Sequence, residues 1–93
     1  MINTEFETLS YFLRTYFHQD WMSDYSSFHE AIDDFIEHET NTKVAVLHQE
    51  LVELLSENDI SENLVYDYGG NYSPKVDGLN IRDWLQEICK KTG

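Results

Sequence analysis

Apolar side chains recur along most of this chain at the three- and four-residue spacing of amphipathic helices, and no segment alternates with the period of a strand. The first group predicts a helix over roughly residues 4–17. Its buried side consists of Phe6, Leu9, Leu13, Tyr16 and Phe17. A polar connection is predicted from about residue 18 to residue 26, and it contains Trp21, Met22 and Tyr25.

A capping signal and a second apolar stripe predict the next helix, which ends near Glu39. Ser27 followed three residues later by Glu30 is the pattern of a capping box. The apolar stripe consists of Phe28, Ala31, Ile32, Phe35 and Ile36. The polar residues 40–42 break this helix and can cap a third helix. The third helix buries Val44, Leu47, Leu51, Leu54 and Leu55.

A short fourth helix is predicted in the 60s. Ile60, just before Ser61, can contact Val65 as a hydrophobic staple, which places the helix entry beside Ser61. Gly69 and Gly70 end this helix, because glycine adopts the left-handed conformation of a helix stop without strain.

Residues 70–79 contain the chain's one proline and are expected to form a structured loop. Asn80 then caps a final helix, in which Lys90 and Lys91 lie at the negative end of the helix dipole. This helix buries Ile81, Trp84, Leu85 and Ile88. The pattern therefore predicts a compact all-α fold of four main helices and one short helix, with residues 1–93 in a single domain.

Negative charge is unevenly distributed along the chain, whose formal net charge is −12. Lys43 is the single basic residue between Thr15 and Ser73, a stretch that holds thirteen acidic residues. We expect no binding to nucleic acid or to an anionic membrane surface, because like charges repel. The charge instead favours a basic protein partner, or mimicry of nucleic acid.

Four carboxylates of the second predicted helix follow at i, i+3, i+4 and i+7, and this spacing places them on one face. This acidic stripe consists of Glu30, Asp33, Asp34 and Glu37. Like charges at these spacings repel by roughly 0.2–0.5 kcal/mol per pair, and the stripe contains no cation that would relieve them. A basic partner would supply the missing charge. The alternative is a solvated face that keeps the protein soluble.

The third predicted helix carries a second acidic face, with carboxylates at i, i+3 and i+7. This face consists of Glu50, Glu53 and Glu57. Weaker candidates for binding are three tyrosines in or beside loops, where they could be interface anchors or core residues. These tyrosines are Tyr25, Tyr68 and Tyr72.

No motif for catalysis or metal binding is found in the sequence. His18, His29 and His38 lie near carboxylates but lack the HExxH spacing that puts two metal ligands on one helix face. The single cysteine, Cys89, excludes an internal disulfide and a cysteine zinc site, and it is expected to be a small buried hydrophobe. We therefore expect no enzyme and no cofactor. A metal-dependent enzyme would reveal itself by metal bound to the purified protein.

The expected location is the cytoplasm. No apolar run approaches the roughly 20 residues of a membrane-spanning helix. The first residues lack the charged and apolar regions of a signal peptide, and the lack of a disulfide framework suits a reducing compartment.

Several motifs resemble the CdiI-type immunity proteins of bacterial contact-dependent growth inhibition. Residues 16–21 read Tyr-Phe-His-Gln-Asp-Trp, an uncommon hexapeptide, and Tyr25 follows. The similarity continues in the same order at residues 30–35, 69–74, 77–79 and 82–85. It covers nearly the whole chain, whereas residues 40–62 are only generically similar.

The resemblance implies an inhibitor that binds and neutralises the C-terminal toxin domain of a cognate CdiA-type effector, with one-to-one stoichiometry. The toxins of such systems are commonly nucleases, so the expected target is a basic RNase domain, and the free inhibitor is expected to be monomeric. Because immunity is specific to one toxin, motifs that the family shares are expected to hold the fold, with residues 18–21 as a polar turn pinned by buried Trp21. The alternative is an acidic nucleic-acid mimic that inhibits a host nucleic-acid-binding protein.

Overall fold

The structure is a computed structural model that describes residues 6–93, and this part of the chain is helical without any β-strand. The predicted all-α class is confirmed. Residues 4 and 5 of the first predicted helix lie outside the described residues. The helices are α1 (Glu7–Tyr16), α2 (Trp21–Asp24), α3 (Phe28–His38), α4 (Asn41–Leu55), α5 (Leu64–Asp67) and α6 (Ile81–Thr92), with a 3₁₀ helix at Pro74–Asp77.

Side-chain caps begin three of the four long helices, at the positions that the sequence predicts. The Ser27 side chain accepts a hydrogen bond from the backbone N–H of Glu30 at the start of α3. Thr40 does the same for α4, and Asn80 for α6 at 2.8 Å. The capping box of α3 closes one residue early, because the Glu30 carboxylate accepts from Ser26 instead of from the Ser27 backbone.

Two short helices differ from the prediction. The connection at residues 18–26, predicted to be irregular, contains the helical turn α2, which begins at Trp21. The indole of Trp21 is buried, with its ring 5.0 Å from that of Phe17. Burial of this ring draws the connection against the core, which confirms Trp21 as the pin of this turn. The second difference is the start of α5, which lies at Leu64, because the Ser61 hydroxyl accepts from Asn63 and caps no helix.

The core is an aromatic cluster where α1, α3, α6 and the loop before α6 meet. Trp84 is fully buried, and its ring lies 5.4 Å from Phe17 and 5.2 Å from Tyr72. Phe12 and Phe35 pack edge to face at 4.8 Å on the side toward α3. Such ring pairs contribute about 0.5–1.5 kcal/mol beyond their buried area. The apolar positions predicted to face inward are buried or partly buried.

Helix α4 packs chiefly against α6 and α1, and polar contacts from α6 fix its C-terminal end. The guanidinium of Arg82 in α6 donates to the backbone carbonyls of Leu55 at 2.9 Å and Glu57 at 2.6 Å. These carbonyls lie at the end of α4, where backbone acceptors lack partners within the helix. Arg82 therefore holds the exit of α4, and with it the connection to α5, against α6.

Candidate functional site

The acidic stripe does receive a cation, which comes from a distant helix. Lys91 of α6 places its ammonium 2.8 Å from the Asp33 carboxylate. The two residues are 58 positions apart in the chain, so the pair arises only when α6 packs beside α3. The prediction that nothing relieves the charge of the stripe is therefore wrong at Asp33.

Two further members of the stripe also have partners inside the protein. The Asp34 carboxylate accepts from the Tyr25 hydroxyl and pairs with the ring of His38. The hydrogen bond of the His38 ring to the Asp34 carbonyl oxygen, helped by this carboxylate, raises the pKa of the imidazole. Glu30 is bonded to Ser26. Of the four, only Glu37 forms no hydrogen bond or ion pair with a described residue, and it is exposed.

The second acidic face is divided by the fold. Glu50 is only 8 % exposed, and its carboxylate accepts from the backbone N–H of Leu9 at 2.8 Å and of Thr8 at 3.2 Å. A negative side chain at this point complements the positive end of α1. Glu50 therefore holds α1 against α4 and does not belong to a solvent-facing surface. Glu53 and Glu57 are exposed.

The three candidate tyrosines lie in different environments. Tyr72 is only 3 % exposed and donates its hydroxyl proton to Asp77, and burial raises the pKa of this phenol. Its ring packs in the aromatic core, so of the two alternatives Tyr72 is a core residue. Tyr25 is half-buried, with its hydroxyl bonded to the acidic stripe. Tyr68 is half-buried and stacks its ring on Phe6, with the centroids 6.4 Å apart.

Exposed carboxylates without described partners concentrate between the end of α4 and the end of α5. We call this the α4–α5 acidic surface, and it consists of Glu53, Glu57, Asp59, Glu62 and Asp67. No lysine or arginine occurs between residues 44 and 74. Arg82 reaches this region, but its guanidinium donates to carbonyl oxygens and forms no ion pair with a described carboxylate. The run of acidic residues without a basic one was visible in the sequence. Helical spacing assigned Glu53 and Glu57 to the second acidic face, but it did not connect the other three carboxylates to them.

Two more histidines and the cysteine have polar partners within the fold. His18 pairs with Asp24 at 3.0 Å, and His48 lies 3.1 Å from the carbonyl oxygen of Cys89. Cys89 is half-buried, and desolvation raises the pKa of its thiol. Within residues 6–93, no group of three or more His, Cys, Asp or Glu side chains could hold a metal ion. In the same range, no helix is long and apolar enough to cross a membrane.

The fold and surface define a small, strongly acidic, all-α protein. A family model described as CdiI immunity protein matches residues 5–92. The chain belongs to the CdiI immunity protein family, as its motifs predicted, and is an immunity protein of contact-dependent growth inhibition.

A solved structure has the same fold. The chain is similar to one in the crystal structure of a CdiA-CT/CdiI complex from Y. kristensenii 33638, with a TM-score of 0.86 and 22 % sequence identity. The alignment covers 96 % of this chain and 99 % of the other. No curated protein sequence matches this chain.

Proposed function

We propose that this protein binds the C-terminal toxin domain of its cognate CdiA-type effector and blocks it in the bacterial cytoplasm, without catalysis of its own. Membership of the immunity family supports this function. The likeness to a chain solved in a CdiA-CT/CdiI complex agrees with it. We further propose one-to-one binding, a monomeric free form, and occlusion of the toxin surface as the mechanism.

Our proposal for the type of toxin rests on the α4–α5 acidic surface. The five exposed carboxylates there form no ion pair with a described cation, and the nearby Arg82 guanidinium donates to carbonyl oxygens instead, so their field extends into solvent. Such a field accelerates encounter with a positive partner and repels nucleic acid. A nuclease must bind a polyanionic substrate and therefore carries a basic groove. We propose that the toxin is an RNase with such a groove. The exposed members of the acidic stripe, Glu37 above all, could extend the contact.

Growth under co-expression tests the proposal directly. The toxin domain encoded beside this gene is induced in a bacterium with this protein, with the Y. kristensenii 33638 CdiI protein, or with no immunity protein. We expect growth only with this protein, and purification of a complex whose mass equals one copy of each chain. Growth arrest in all three cells would contradict the immunity function for this toxin.

The type of toxin is tested separately. Cellular RNA from arrested cells is compared with RNA from protected cells by gel electrophoresis. Cleaved RNA is expected only in arrested cells. Intact RNA in arrested cells would contradict the RNase assignment. The immunity function would still stand if this protein protects growth and co-purifies with the toxin domain.

A further inference from the structure

A groove of about 250 Å³ lies between the end of α4, the connection that follows it, and α5. Its base is formed by apolar side chains from four separate parts of the chain. These are Phe6, Leu54, Ile60 and Leu64. Tyr68 forms one wall, with its ring stacked on Phe6. The base is part of the hydrophobic core, so the groove is a fixed feature of the packed helices.

Three carboxylates of the α4–α5 acidic surface line this groove. They belong to Glu57, Asp59 and Asp67, which are all exposed. Within residues 6–93, no basic side chain lines the groove, and none of the three carboxylates has a hydrogen bond or ion pair with a residue of that range. This differs from the acidic stripe, where Lys91 and Tyr25 already occupy two of the four carboxylates.

The other large cavity lacks this charge pattern. It measures about 590 Å³ and lies between the start of α3 and α6. Its carboxylates are mixed with Lys90, which lies 3.7 Å from Glu87, and with His29. Of these two cavities, the groove beside α5 therefore has the stronger complementarity to a positive ligand.

We infer that this groove receives a lysine- or arginine-bearing segment of the toxin, with one long cationic side chain inserted. The inference rests on the proposed function and names the surface that performs it. The aliphatic stem of lysine or arginine packs on apolar surface while its charged head stays in a polar environment. The apolar base and acidic rim of the groove match these two parts. Charged rim contacts also raise the association rate and select against partners without the positive charge.

A charge-matched pair of triple variants tests the inference. The groove variant is Glu57→Gln, Asp59→Asn and Asp67→Asn. The control is Glu7→Gln, Asp20→Asn and Asp83→Asn, three exposed residues that lie outside the groove, the acidic stripe and the α4–α5 acidic surface. Both remove three negative charges and no described side-chain bond. At low salt we expect the groove variant to bind the toxin domain at least about tenfold more weakly, and the control less than about threefold.

A second pair tests the shape of the groove without removing charge. Ser61 lies at the groove, whereas Asn63 is exposed nearby and does not line it. We expect Ser61→Trp to weaken toxin binding at least about tenfold by filling the space, and Asn63→Trp to bind like the wild type. Circular dichroism and urea unfolding of each variant check that the helices are intact.

The outcomes distinguish failure of the groove proposal from failure of the immunity function. Suppose that the wild type binds the toxin domain, and that the control variant loses as much affinity as the groove variant or more. This result would overturn the proposed role of the groove and leave the immunity function standing. Failure of the wild type to bind would contradict the function itself. Self-association of the free protein that Ser61→Trp abolishes would assign the groove to a second copy and also overturn the inference.

Discussion

At the scale of single residues, Glu50 has the largest change of role between sequence and structure. Its spacing along α4 placed it with Glu53 and Glu57 on an acidic face. In the fold, the side chain reaches the first turn of α1, where helix N–H groups lack partners within the helix. Thr8 and Leu9 supply these N–H groups, 42 and 41 positions away in the chain. Spacing within one helix cannot reveal such a distant partner.

Removal of this carboxylate should destabilise the protein. Glu50→Ala leaves two N–H groups of α1 without their acceptor, and we expect a loss of about 1–3 kcal/mol in the free energy of unfolding. Urea denaturation measures it. Glu53→Ala, one turn further along the same helix and exposed, should change stability by less than about 0.5 kcal/mol. Equal unfolding midpoints for the two variants would refute the role of Glu50.

Glu39 should make stability depend on acid pH. Hydrogen bonds from the hydroxyls of Tyr16 at 2.7 Å and Tyr11 at 2.9 Å hold the pKa of this carboxyl below its usual 4.5. The folded state therefore favours the ionised form. The resulting stabilisation is present above pH 4.5 and is lost as the pH falls from there through the folded pKa.

Urea unfolding across this acid range measures the effect. Glu39→Gln should flatten the dependence of stability on pH in that window. Tyr16→Phe, which keeps the carboxylate and removes its shorter hydrogen bond, should reduce the dependence in part. An unchanged acid slope in Glu39→Gln would show that this carboxyl contributes nothing to it.

At the scale of elements, the sequence predicted the structural features that depend on residues close together in the chain. The caps at Ser27, Thr40 and Asn80 were predictable because each side chain bonds a backbone N–H three residues later. Helix α2 was not predicted, because its four residues are too few to show a helical period. Burial of Trp21 among residues far away in sequence organises the turn.

Two glycines with positive φ differ in how much space surrounds them. Gly69, which follows α5, has φ +95°, and an added Cβ would lie 2.5 Å from Cγ of Arg14. Gly78, after the 3₁₀ helix, has φ +76° and open space around it. Gly78→Ala should therefore cost about 1–2 kcal/mol from conformation alone, and Gly69→Ala more, because Arg14 must also move. Thermal unfolding that ranks Gly78→Ala as the more harmful variant would contradict this account.

At the scale of the whole molecule, the sequence shows how much negative charge the protein carries. It does not show which carboxylates are already paired inside the fold and which can contact a partner. Asp33 and Glu37 look equivalent on one helix face, yet only Asp33 is met by Lys91 when α6 packs alongside. The irregular run between α4 and α5 gave no helical pattern, although it retains the exposed carboxylates. The family could be read from local motifs, whereas the candidate surface required the tertiary pairing of charges.

This distribution of charge predicts how binding responds to salt. Exposed charges act over a Debye length, which shrinks from about 30 Å at 0.01 M salt to about 3 Å at 1 M. The groove carboxylates lie at the proposed contact with the toxin's positive charge, whereas the control carboxylates lie away from it. The groove variant should therefore show a shallower salt dependence of association than its charge-matched control, with the difference largest at low salt.

The most direct test of the central claim is the rate at which the wild-type protein associates with its cognate toxin domain, measured by stopped-flow fluorescence as salt increases. Electrostatic attraction between the acidic surface and a basic toxin predicts that the rate falls at least about tenfold between low salt and about 0.5 M. An association rate that stays constant over this range would contradict recognition through the unpaired carboxylates.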